Sequence, residues 1–532
     1  MKKDLIIKIL LLAILVLSLV LRVYKIDSVP PSISWDEAAV GYNAWTIGSY
    51  GRDEYGKLFP AFFRSFADDK HPVHVYSTAL FVKFLGLSEF STRLPAAVFG
   101  VINVLLIFFL AKLMFKSEYL GLIAALFLAI SPDDIQFSRF NHEVNFTLFL
   151  FLLGLTLFYY GLRKRNFCLT LSALSFGLSI LGYHSSIVVV PPILLLLVVL
   201  YYKKLLALKK LLAVSFIIAA LFVGLIILNP ELLGIARVQQ NTFSTDRLHQ
   251  TKLYQLTKND VLAWANVTYD QYWWHFTPQY LFITGDKNAR LSSQTGEFYK
   301  IDAVFLILGL LYLLYKRSRE GVVLLTWALL APLPSALVAE APHAARAMYM
   351  IGSWHLLSAL GLYSIITVIR KPVIKWIIVA SVLIALLFSL KSYLFYYYGE
   401  YAKRYAIEWQ YGMKQIVEYV KAHPEYAQVY MTDIRSQPYI FFLYYLKTPL
   451  PDYLNSVIYN NSAETKSFSR VTTFGHFYFE GWNPIESFPQ RDVLYVVTSS
   501  QYDGLRYKAL FNIKKKIDYP NGTLAFYLVS AN

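Results

Sequence analysis

Apolar runs close to the length of a membrane span recur along most of this chain, and they constrain its fold more than any other feature. A helix needs about 20 mostly apolar residues to cross the hydrocarbon core of a bilayer. The first run spans residues 5–23, and further runs lie near residues 93–115, 118–132, 143–162, 166–184, 186–202, 211–228, 301–315, 321–338, 346–369 and 373–391. The pattern predicts an α-helical polytopic membrane protein with about eleven transmembrane helices.

Composition agrees with this class. The chain is 56% hydrophobic and only 16% charged, whereas soluble domains carry about 25% charged residues. Its one cysteine, Cys168, lies inside an apolar run, which excludes a disulfide framework. The amino terminus resembles a signal peptide, but no small-residue cleavage site follows it. We therefore predict an uncleaved first helix whose amino end is cytoplasmic.

The net charge of +16 would suggest a nucleic-acid partner, but the placement of the basic residues indicates membrane topology instead. Residues 72–86 are apolar yet short. If they do not cross, the short inner loops hold eighteen Lys and Arg residues and the short outer loops hold only Arg139 and Arg346. If they do cross, fifteen of the eighteen face outward. Since short cytoplasmic loops collect basic residues, we predict that residues 72–86 lie along the outer interface as an amphipathic or re-entrant helix.

This topology divides the chain into two predicted regions. Residues 1–391 form a transmembrane domain with outer loops at 24–92 and 229–300. Residues 392–532 alternate helical patterns with β-rich runs, "AQVYMTD", "VLYVVTS" and "TLAFYLV". We predict that this second region is an extracytoplasmic α/β domain.

Charged residues concentrate at the outer ends of the predicted helices. Charged side chains at membrane depth are costly unless they face a cavity or one another. Because these residues are expected at the same depth, they indicate a functional site. The segments are "SISWDEAAVGYNAW" with Asp36 and Glu37, "DDKHPVH" with Asp68, Asp69, Lys70, His71 and His74, "STRLP" with Arg93, "SPDDIQFSRFNHEV" with Asp133, Asp134, Arg139, His142 and Glu143, and "AEAPHAARA" with Glu340, His343 and Arg346.

Each of these residues also has a simpler interpretation. Asp36 fits a solvated face, and Asp133 and Asp134 fit a capped turn after Ser131-Pro132. Arg139 and Arg346 fit anchors for lipid headgroups. Two histidines three residues apart are weak signs of a metal site without a third ligand, so we assign no metal ligands and leave a divalent metal open.

The residue types favour sugar transfer from a lipid. A carboxylate can act as general base on an acceptor hydroxyl, and cationic side chains can hold a phosphate. Aromatic faces suit the apolar face of a sugar ring. The chain contains no Gly-rich phosphate loop, Walker pattern, Ser-His-Asp arrangement or zinc spacing. Nucleotide-driven chemistry is therefore disfavoured, and the donor is expected to be lipid-borne.

At these residues the sequence resembles the dolichyl-phosphate-mannose–protein mannosyltransferase superfamily, glycosyltransferase family 39, which includes the bacterial lipid A aminoarabinose transferases. Residues 1–165 carry the resemblance, in the order "WDEAAVGYNAW", "DDKHPVHVYSTALFVKFLGLSEFSTRLPAAVFG" and "LGLIAALFLAISPDDIQFSRFNHEVNFTLF". Residues 281–299 and 341–347 resemble related transferases less closely. The resemblance implies the type C glycosyltransferase fold.

It also implies roles for individual residues. Asp36 corresponds to the family's catalytic base, Glu37 to its acidic neighbour, and Arg93 to an arginine near the donor phosphate. Lys70 occupies the basic position but precedes His71-Pro72 instead of Pro-Pro, and Glu143 stands where relatives carry Asp. We expect the donor phosphate to be bound by Lys70, Arg93, Arg139, His343 and Arg346, and the sugar and acceptor cavity to be lined by Trp35, Tyr42 and His71.

The sequence thus predicts a plasma-membrane glycosyltransferase, of hexosyl or pentosyl type, that uses a polyprenyl-phosphate sugar at the outer face. Its partners would be the donor, membrane lipids and a lipid, glycan or protein acceptor. A lipid transporter or flippase is the rival, but it would place charges within the spans and show paired halves. A non-catalytic lipid-binding scaffold would need the cations without Asp36. The sugar, the acceptor and the oligomeric state are left open.

Overall fold

The computed structural model describes residues 2–66, 68–229, 242–435, 437–460, 471–480 and 489–532. Part of the predicted outer loop 229–300, residues 230–241, lies outside this range, as do the side chains of Asp68 and Asp69.

Helices dominate the described residues. In chain order they are α1 (Lys2–Val23), α2 (Trp35–Tyr50), α3 (Pro72–Leu85), α4 (Glu89–Phe115), α5 (Glu118–Ile130), α6 (Pro132–Phe137), α7 (Glu143–Lys164), α8 (Cys168–Ile180), α9 (Ser185–Leu206), α10 (Lys209–Leu228), α11 (Thr245–His249), α12 (Lys252–Thr257), α13 (Asp260–Trp274), α14 (Asp302–Lys316), α15 (Arg319–Leu330), α16 (Leu333–Ala336), α17 (Met350–Val368), α18 (Pro372–Tyr396), α19 (Ala402–Arg404), α20 (Met413–Ala422), α21 (Tyr439–Leu446), α22 (Leu450–Ser456) and α23 (Ser499–Asp503). Two π-helical turns cover Gln279–Ile283 and Tyr397–Tyr401.

Each apolar run predicted from the sequence is helical in the structure, and the run 321–338 is divided between α15 and α16. Within the described residues, seven helices are long and apolar enough to cross a membrane, and α5 and α8 are shorter apolar helices. The prediction of a helical, multi-pass membrane protein is confirmed. Residues 72–86 form α3, which is not among the helices long and apolar enough to span.

The chain forms two compact units. The first unit contains residues 1–24 and 96–396, and the second contains residues 25–95 and 397–532. The carboxy-terminal region therefore begins close to the predicted boundary at 392. The first outer loop, however, groups with this region, not with the transmembrane helices as predicted. The reason lies in the packing of α2, whose Tyr42 hydroxyl donates a hydrogen bond of 2.8 Å to the carbonyl of Thr448.

In the first unit, glycines allow helices to approach closely. Gly309 of α14 lies against the backbone of Leu357, and Gly361 of α17 lies against the backbone of Phe305, so that a Cβ at either glycine would collide with a carbonyl oxygen. Small residues at helix crossings let the two backbones touch and gain van der Waals contact inside a membrane. The α14–α17 crossing uses this arrangement.

The second unit is built on a sheet of seven strands. Their order is β4-β5-β6-β3-β7-β9-β8, and β3 runs parallel to both of its neighbours. The strands are β3 (Gln428–Thr432), β4 (Ile458–Tyr459), β5 (Val471–Phe474), β6 (Phe477–Glu480), β7 (Val493–Thr498), β8 (Phe511–Asp518) and β9 (Leu524–Ala531). A small hairpin, β1 (Phe63–Ser65) and β2 (Asp68–Lys70), lies in the first outer loop.

Hydrophobic patterning explains the centre of this sheet. Every residue of β7 is buried, as expected for a strand covered on both faces. In α20, the buried residues Met413, Ile416, Val417 and Val420 recur at helical spacing and form one apolar face. The three β-rich runs predicted from the sequence are β3, β7 and β9, which are neighbours in the sheet. The prediction of a carboxy-terminal α/β domain is confirmed.

Candidate active site

Helix α2 begins at the adjacent acids, and its first turn gives them different environments. Ser34 is the N-cap, and its hydroxyl accepts a hydrogen bond from the backbone N–H of Glu37 at 3.3 Å. Glu37 turns back and accepts one from the backbone N–H of Ser34 at 3.1 Å. This reciprocal capping box satisfies two donors at the helix start. It fixes Glu37 against the turn and leaves Asp36 to point elsewhere.

Glu37 forms a buried ion pair with Arg93. Arg93 Nε and Nη2 donate to the two carboxylate oxygens at 2.8 and 3.0 Å, and neither side chain is exposed. Arg93 Nη1 donates to the carbonyls of Ile26 and Pro30, and Nη2 also donates to the carbonyl of Ser32. A guanidinium has five N–H donors, and these five bonds use all of them.

This geometry argues against the expectation that Arg93 binds the donor phosphate, which stays an untested prediction. A phosphate would have to displace an internal partner and enter a region where the side chain is fully buried. The arginine instead fastens residues 26–32 to the first turn of α2. Glu37 is likewise a buried structural partner and not a group open to substrate.

Asp36 is paired with Lys70, and this pair is partly open. Lys70 Nζ lies 3.1 Å from Asp36 Oδ1, with 12% of the lysine side chain and 33% of the aspartate side chain exposed. Lys70 ends β2, where it pairs with Phe63. The structure thus brings together the predicted base and one predicted phosphate ligand.

The three aromatic residues predicted to line a cavity have different environments. Tyr42 is fully buried, its hydroxyl bonds to Thr448, and burial raises its pKa. His71 is the N-cap of α3 and only 2% exposed. These two residues belong to the interior of the unit, and their role in lining a sugar and acceptor cavity stays a prediction. Trp35 is partly buried and starts α2 next to Asp36.

Gln410 is a residue that the sequence analysis missed. Its side-chain oxygen accepts a 2.7 Å hydrogen bond from the backbone N–H of Trp35, and its Nε2 donates to the carbonyl of Arg435 at 3.2 Å. Gln410 has φ +52° and is 4% exposed. A non-glycine residue held in the left-handed region is uncommon. The Gln410 side chain therefore joins the first turn of α2, which carries Asp36, to the segment that follows β3.

A buried acid close to α2 was also missed. Asn43 Nδ2 donates to Glu54 Oε2 at 2.8 Å, and the Tyr439 hydroxyl donates to Glu54 Oε1 at 2.9 Å. Burial raises the pKa of Glu54 to about 7, against the lowering effect of these two hydrogen bonds. "RDEYG" carries no pattern that separates Glu54 from a solvated loop acid.

The remaining predicted residues belong to the first unit. Arg139 is fully buried, and it donates to the carbonyls of Leu21, Arg22 and Tyr24 at 2.8, 3.2 and 2.7 Å. A cation on the last carbonyls of a helix satisfies orphan acceptors and complements the helix dipole. The expectation that Arg139 binds phosphate does not fit this geometry, because the side chain caps α1.

Glu143 begins α7 and is 6% exposed. Its Oε2 lies 3.4 Å from Nδ1 of His142. The ring of His142 is surrounded by Phe137, Phe140 and Tyr183 with ring centroids 5.6–5.8 Å away. Glu143 is therefore a largely buried acid beside an imidazole in an aromatic setting.

His343 and Arg346 share one loop of the first unit. Arg346 Nη2 lies 3.2 Å from Glu340 Oε2, and the backbone N–H of Arg346 donates to Nδ1 of His343 at 3.3 Å. The neighbouring Ala344 N–H donates to Asp286 Oδ2 at 2.7 Å, and burial raises the pKa of Asp286 to about 6. The loop thus contacts two acids: Arg346 pairs with Glu340, and the backbone of Ala344 bonds to Asp286.

Asp133 and Asp134 are buried, so neither is a solvated turn residue. Asp134 forms an ion pair with Arg22 of α1. Asp133 lies beside Glu297. Burial raises the pKa of Asp133 to about 8, with smaller contributions from the negative charges of Asp134 and Asp286. Burial also raises the pKa of Glu297, with Asp133 as the next cause. The raised pKa of both acids disfavours the state in which both are ionised. Glu297 was not identified from the sequence because its partner is 164 residues away in the chain.

Metal ligation finds little support in the described part of the chain. No group of three or more His, Cys, Asp or Glu side chains there is placed to hold a metal ion. The divalent metal left open by the sequence therefore has no candidate set of ligands among the described residues.

A sheet domain joined to a polytopic helical domain, with acids and cations at the ends of the helices, defines the class: a membrane protein with the type C glycosyltransferase fold. The family model described as dolichyl-phosphate-mannose-protein mannosyltransferase matches residues 69–228. A search of curated proteins finds no match. The family match and the structures described next confirm the resemblance stated from the sequence.

Two transferases of known structure share the fold. ArnT from Cupriavidus metallidurans in the apo state is 12% identical, with a TM-score of 0.56 and coverage of 98% of this chain and 97% of that one. The same protein bound to undecaprenyl phosphate is 14% identical, with a TM-score of 0.54 and 97% coverage of both chains. The archaeal oligosaccharyltransferase AglB from Archaeoglobus fulgidus, in complex with an inhibitory peptide and a dolichol-phosphate, is 15% identical with a TM-score of 0.51. That match covers 83% of this chain and 64% of the AglB chain.

Proposed function

We propose that this protein is an integral-membrane glycosyltransferase that moves a sugar from a polyprenyl-phosphate donor to an acceptor on the outer face of the cell membrane. The single observation that carries the proposal is the half-open Asp36–Lys70 pair, 3.1 Å apart. It joins the carboxylate that we propose as the base to the cation that we propose as the phosphate ligand, at the start of α2. The undecaprenyl phosphate in the ArnT structure and the dolichol-phosphate in the AglB structure support the donor class.

In the proposed reaction the acceptor hydroxyl oxygen attacks the anomeric carbon from the side opposite the phosphate. The new carbon–oxygen bond forms as the bond between the anomeric carbon and the phosphate oxygen breaks. The phosphate keeps the electron pair of the broken bond, and Asp36 takes the hydroxyl proton. The products are the glycosylated acceptor, with inverted configuration, and the polyprenyl phosphate.

Lys70 has two roles in the proposed reaction: it pairs with Asp36, and it binds the leaving phosphate. In the free protein its ammonium group lies 3.1 Å from Asp36 Oδ1, and the positive end of the α2 dipole lies next to the same carboxylate. An ammonium has three N–H donors, so it can bond to a phosphate oxygen while it stays close to the carboxylate. The charge that develops on the leaving phosphate would strengthen that bond in the transition state.

Glu37 and Arg93 act as positioning residues in this scheme. Their buried pair, with the carbonyls of Ile26, Pro30 and Ser32, fixes the first turn of α2. A catalytic group contributes fully only when neighbouring bonds hold it in place. The neighbouring acid thus supports Asp36 without taking the proton itself.

In the first unit, Glu143, His343 and Arg346 are retained as candidates for acceptor or donor contact. Arg346 is kept as a candidate phosphate ligand of the first unit, where its Nη2 lies 3.2 Å from Glu340 Oε2. Glu143 would act on the acceptor beside His142. Arg139 is assigned to the end of α1.

The proposal is tested with protein reconstituted into liposomes that contain a polyprenyl-phosphate sugar labelled in the sugar. A transferase releases polyprenyl phosphate in amounts equal to the sugar that appears on acceptors from a cell-envelope extract. A lipid transporter moves the labelled lipid across the bilayer with the sugar–phosphate bond intact. Translocation without release would contradict the proposal.

A further inference from the structure

The sheet of the second unit changes its winding direction at β3. From β3 the chain passes through α21, α22, β4 and β5 to β6 on one side, and then crosses to β7 on the other side. Both neighbours run parallel to β3. In open α/β sheets, a crevice forms at the carboxyl ends of the strands where the winding reverses, and ligands bind there.

A cavity of about 240 Å³ lies at this place in the fold. Its wall includes Asp433, which follows β3 directly, Gln437 and Tyr439 from the start of α21, and Val471 and Phe479 from β5 and β6. Pockets for drug-sized ligands usually measure about 300–1,000 Å³. This cavity therefore suits a small ligand, about the size of one ring.

Gln437 gives this cavity a polar group whose side chain makes no hydrogen bond to the described residues. The residue is 8% exposed and lines the cavity, and among the described residues its side-chain amide makes no hydrogen bond. Its φ is +49°, in the left-handed region that glutamine seldom adopts. The side-chain amide is therefore available to a ligand with hydroxyl groups, to which it can both donate and accept hydrogen bonds.

The other lining residues narrow the chemistry of the ligand. The Asp433 carboxylate can accept hydrogen bonds from hydroxyl groups, and an amide such as Gln437 can both donate and accept. Phe479 and Val471 supply an apolar wall for C–H groups. Among the described residues the lining carries one acid, Asp433, and no Lys or Arg, and the negative charge of that acid disfavours an anionic ligand. A neutral, hydroxyl-rich ring meets all these conditions.

The cavity is also linked to the candidate base. Gln410 donates to the carbonyl of Arg435, which lies between Asp433 and Gln437 in the chain, and accepts from the backbone N–H of Trp35 beside Asp36. Tyr439 bonds to Glu54, which is held by Asn43 of α2. Two separate bridges therefore connect the cavity wall to the helix that carries Asp36.

We infer that the cavity lined by Asp433, Gln437, Tyr439, Val471 and Phe479 binds one neutral sugar residue of a glycan acceptor. The role of that sugar as part of the acceptor rests on the proposed transferase function, whereas the binding of a sugar ring does not. Hydroxyl groups of the ring bond to Asp433 and Gln437, and its apolar face packs on Phe479.

The test measures binding directly, with the full-length protein in detergent and a panel of methyl glycosides of hexoses and pentoses as ligands. Saturation-transfer NMR and calorimetry should detect at least one glycoside that binds saturably, with a Kd on the order of millimolar. Gln437→Gly removes the amide and suits the positive φ, and Asp433→Asn removes the charge. Each change should weaken binding about tenfold or more, whereas Asp503→Asn, an exposed acid of α23, should leave it unchanged.

Two results would overturn the inference: no glycoside binds the wild-type protein, or the cavity variants bind as well as the wild type while thermal unfolding shows that they are folded. Preferential binding of phosphate or of a serine-containing tripeptide through the same residues would also overturn it. Failure of this site and failure of the proposed function are distinguishable. Sugar binding that persists in a protein without transfer activity contradicts only the function, and transfer without any effect of the cavity variants contradicts only the site.

Discussion

Arg93 holds both carboxylate oxygens of Glu37, at 2.8 Å from Nε and 3.0 Å from Nη2, and neither side chain reaches solvent. Asp36, the residue before Glu37, is one-third exposed and paired with Lys70. Two acids adjacent in sequence therefore have different environments: Glu37 is held at the start of α2, and Asp36 is partly solvent-exposed.

Arg93→Ala should destabilise the protein. Removing one partner of a buried ion pair leaves an uncompensated charge, which typically costs about 3–5 kcal/mol. Arg93→Lys should recover only part of the loss, because lysine lacks the fork of five donors. Thermal unfolding in detergent measures both, with Arg404→Ala at an exposed position as the control. A variant with wild-type stability but weak donor binding would return Arg93 to the phosphate site.

Lys70→Ala should weaken donor binding while the protein stays folded. Hydrogen bonds to charged groups contribute about 1.5–3 kcal/mol, so the Kd for the polyprenyl-phosphate sugar should rise roughly tenfold to a hundredfold. Equilibrium binding to protein in nanodiscs measures this change. Lys57→Ala, an exposed lysine of the same outer loop, should bind donor normally. Equal affinities for the two variants would remove Lys70 from the phosphate site.

Glu54 should make stability depend on pH. Burial raises its pKa to about 7 in the folded protein from 4.5, so between these values the unfolded state has lost a proton that the folded state keeps. Stability should therefore fall as pH rises from about 4.5 to 7, by up to roughly 3 kcal/mol. Glu54→Gln should flatten this part of the unfolding profile, and Glu425→Gln at an exposed position should not. An unchanged profile in Glu54→Gln would show that Glu54 is ionised throughout.

Much of the fold could be predicted because the membrane imposes a strong pattern. Each helix over an apolar run, and the strands β3, β7 and β9, coincide with runs read from the sequence. The grouping of residues 25–95 with the carboxy-terminal region could not be predicted. It depends on packing such as that of Tyr42 near Thr448, for which neither residue carries a local signal.

The site was predictable in its residue types but not in their burial. The sequence placed Asp36 and Lys70 in one site, and the structure pairs them. It could not distinguish Arg93 and Arg139, which use their donors on backbone carbonyls, from arginines that face a ligand. Gln410 and Glu297 were missed because a lone amide or acid has no motif, and their partners are distant in sequence.

Topology provides an independent prediction. The distribution of basic residues predicts that Lys116 faces the cytoplasm and that Asp503 lies outside. In a background in which the only cysteine, Cys168, is replaced by serine, a cysteine at position 503 should react with an impermeant maleimide in intact cells. A cysteine at position 116 should react only after the membrane is opened. Labelling of position 116 from outside would contradict the predicted orientation.

The central claim is that Asp36 takes the acceptor proton, and the direct measurement is transfer and donor binding by Asp36→Asn in parallel. Asparagine keeps the shape of the side chain but cannot accept the proton, so transfer should fall about 10²–10⁴-fold with unfolding temperature and donor binding close to the wild type. Asp27→Asn, an exposed aspartate of the same loop, should transfer normally. Near wild-type transfer by Asp36→Asn would contradict the account and make Glu143 the next candidate for the base.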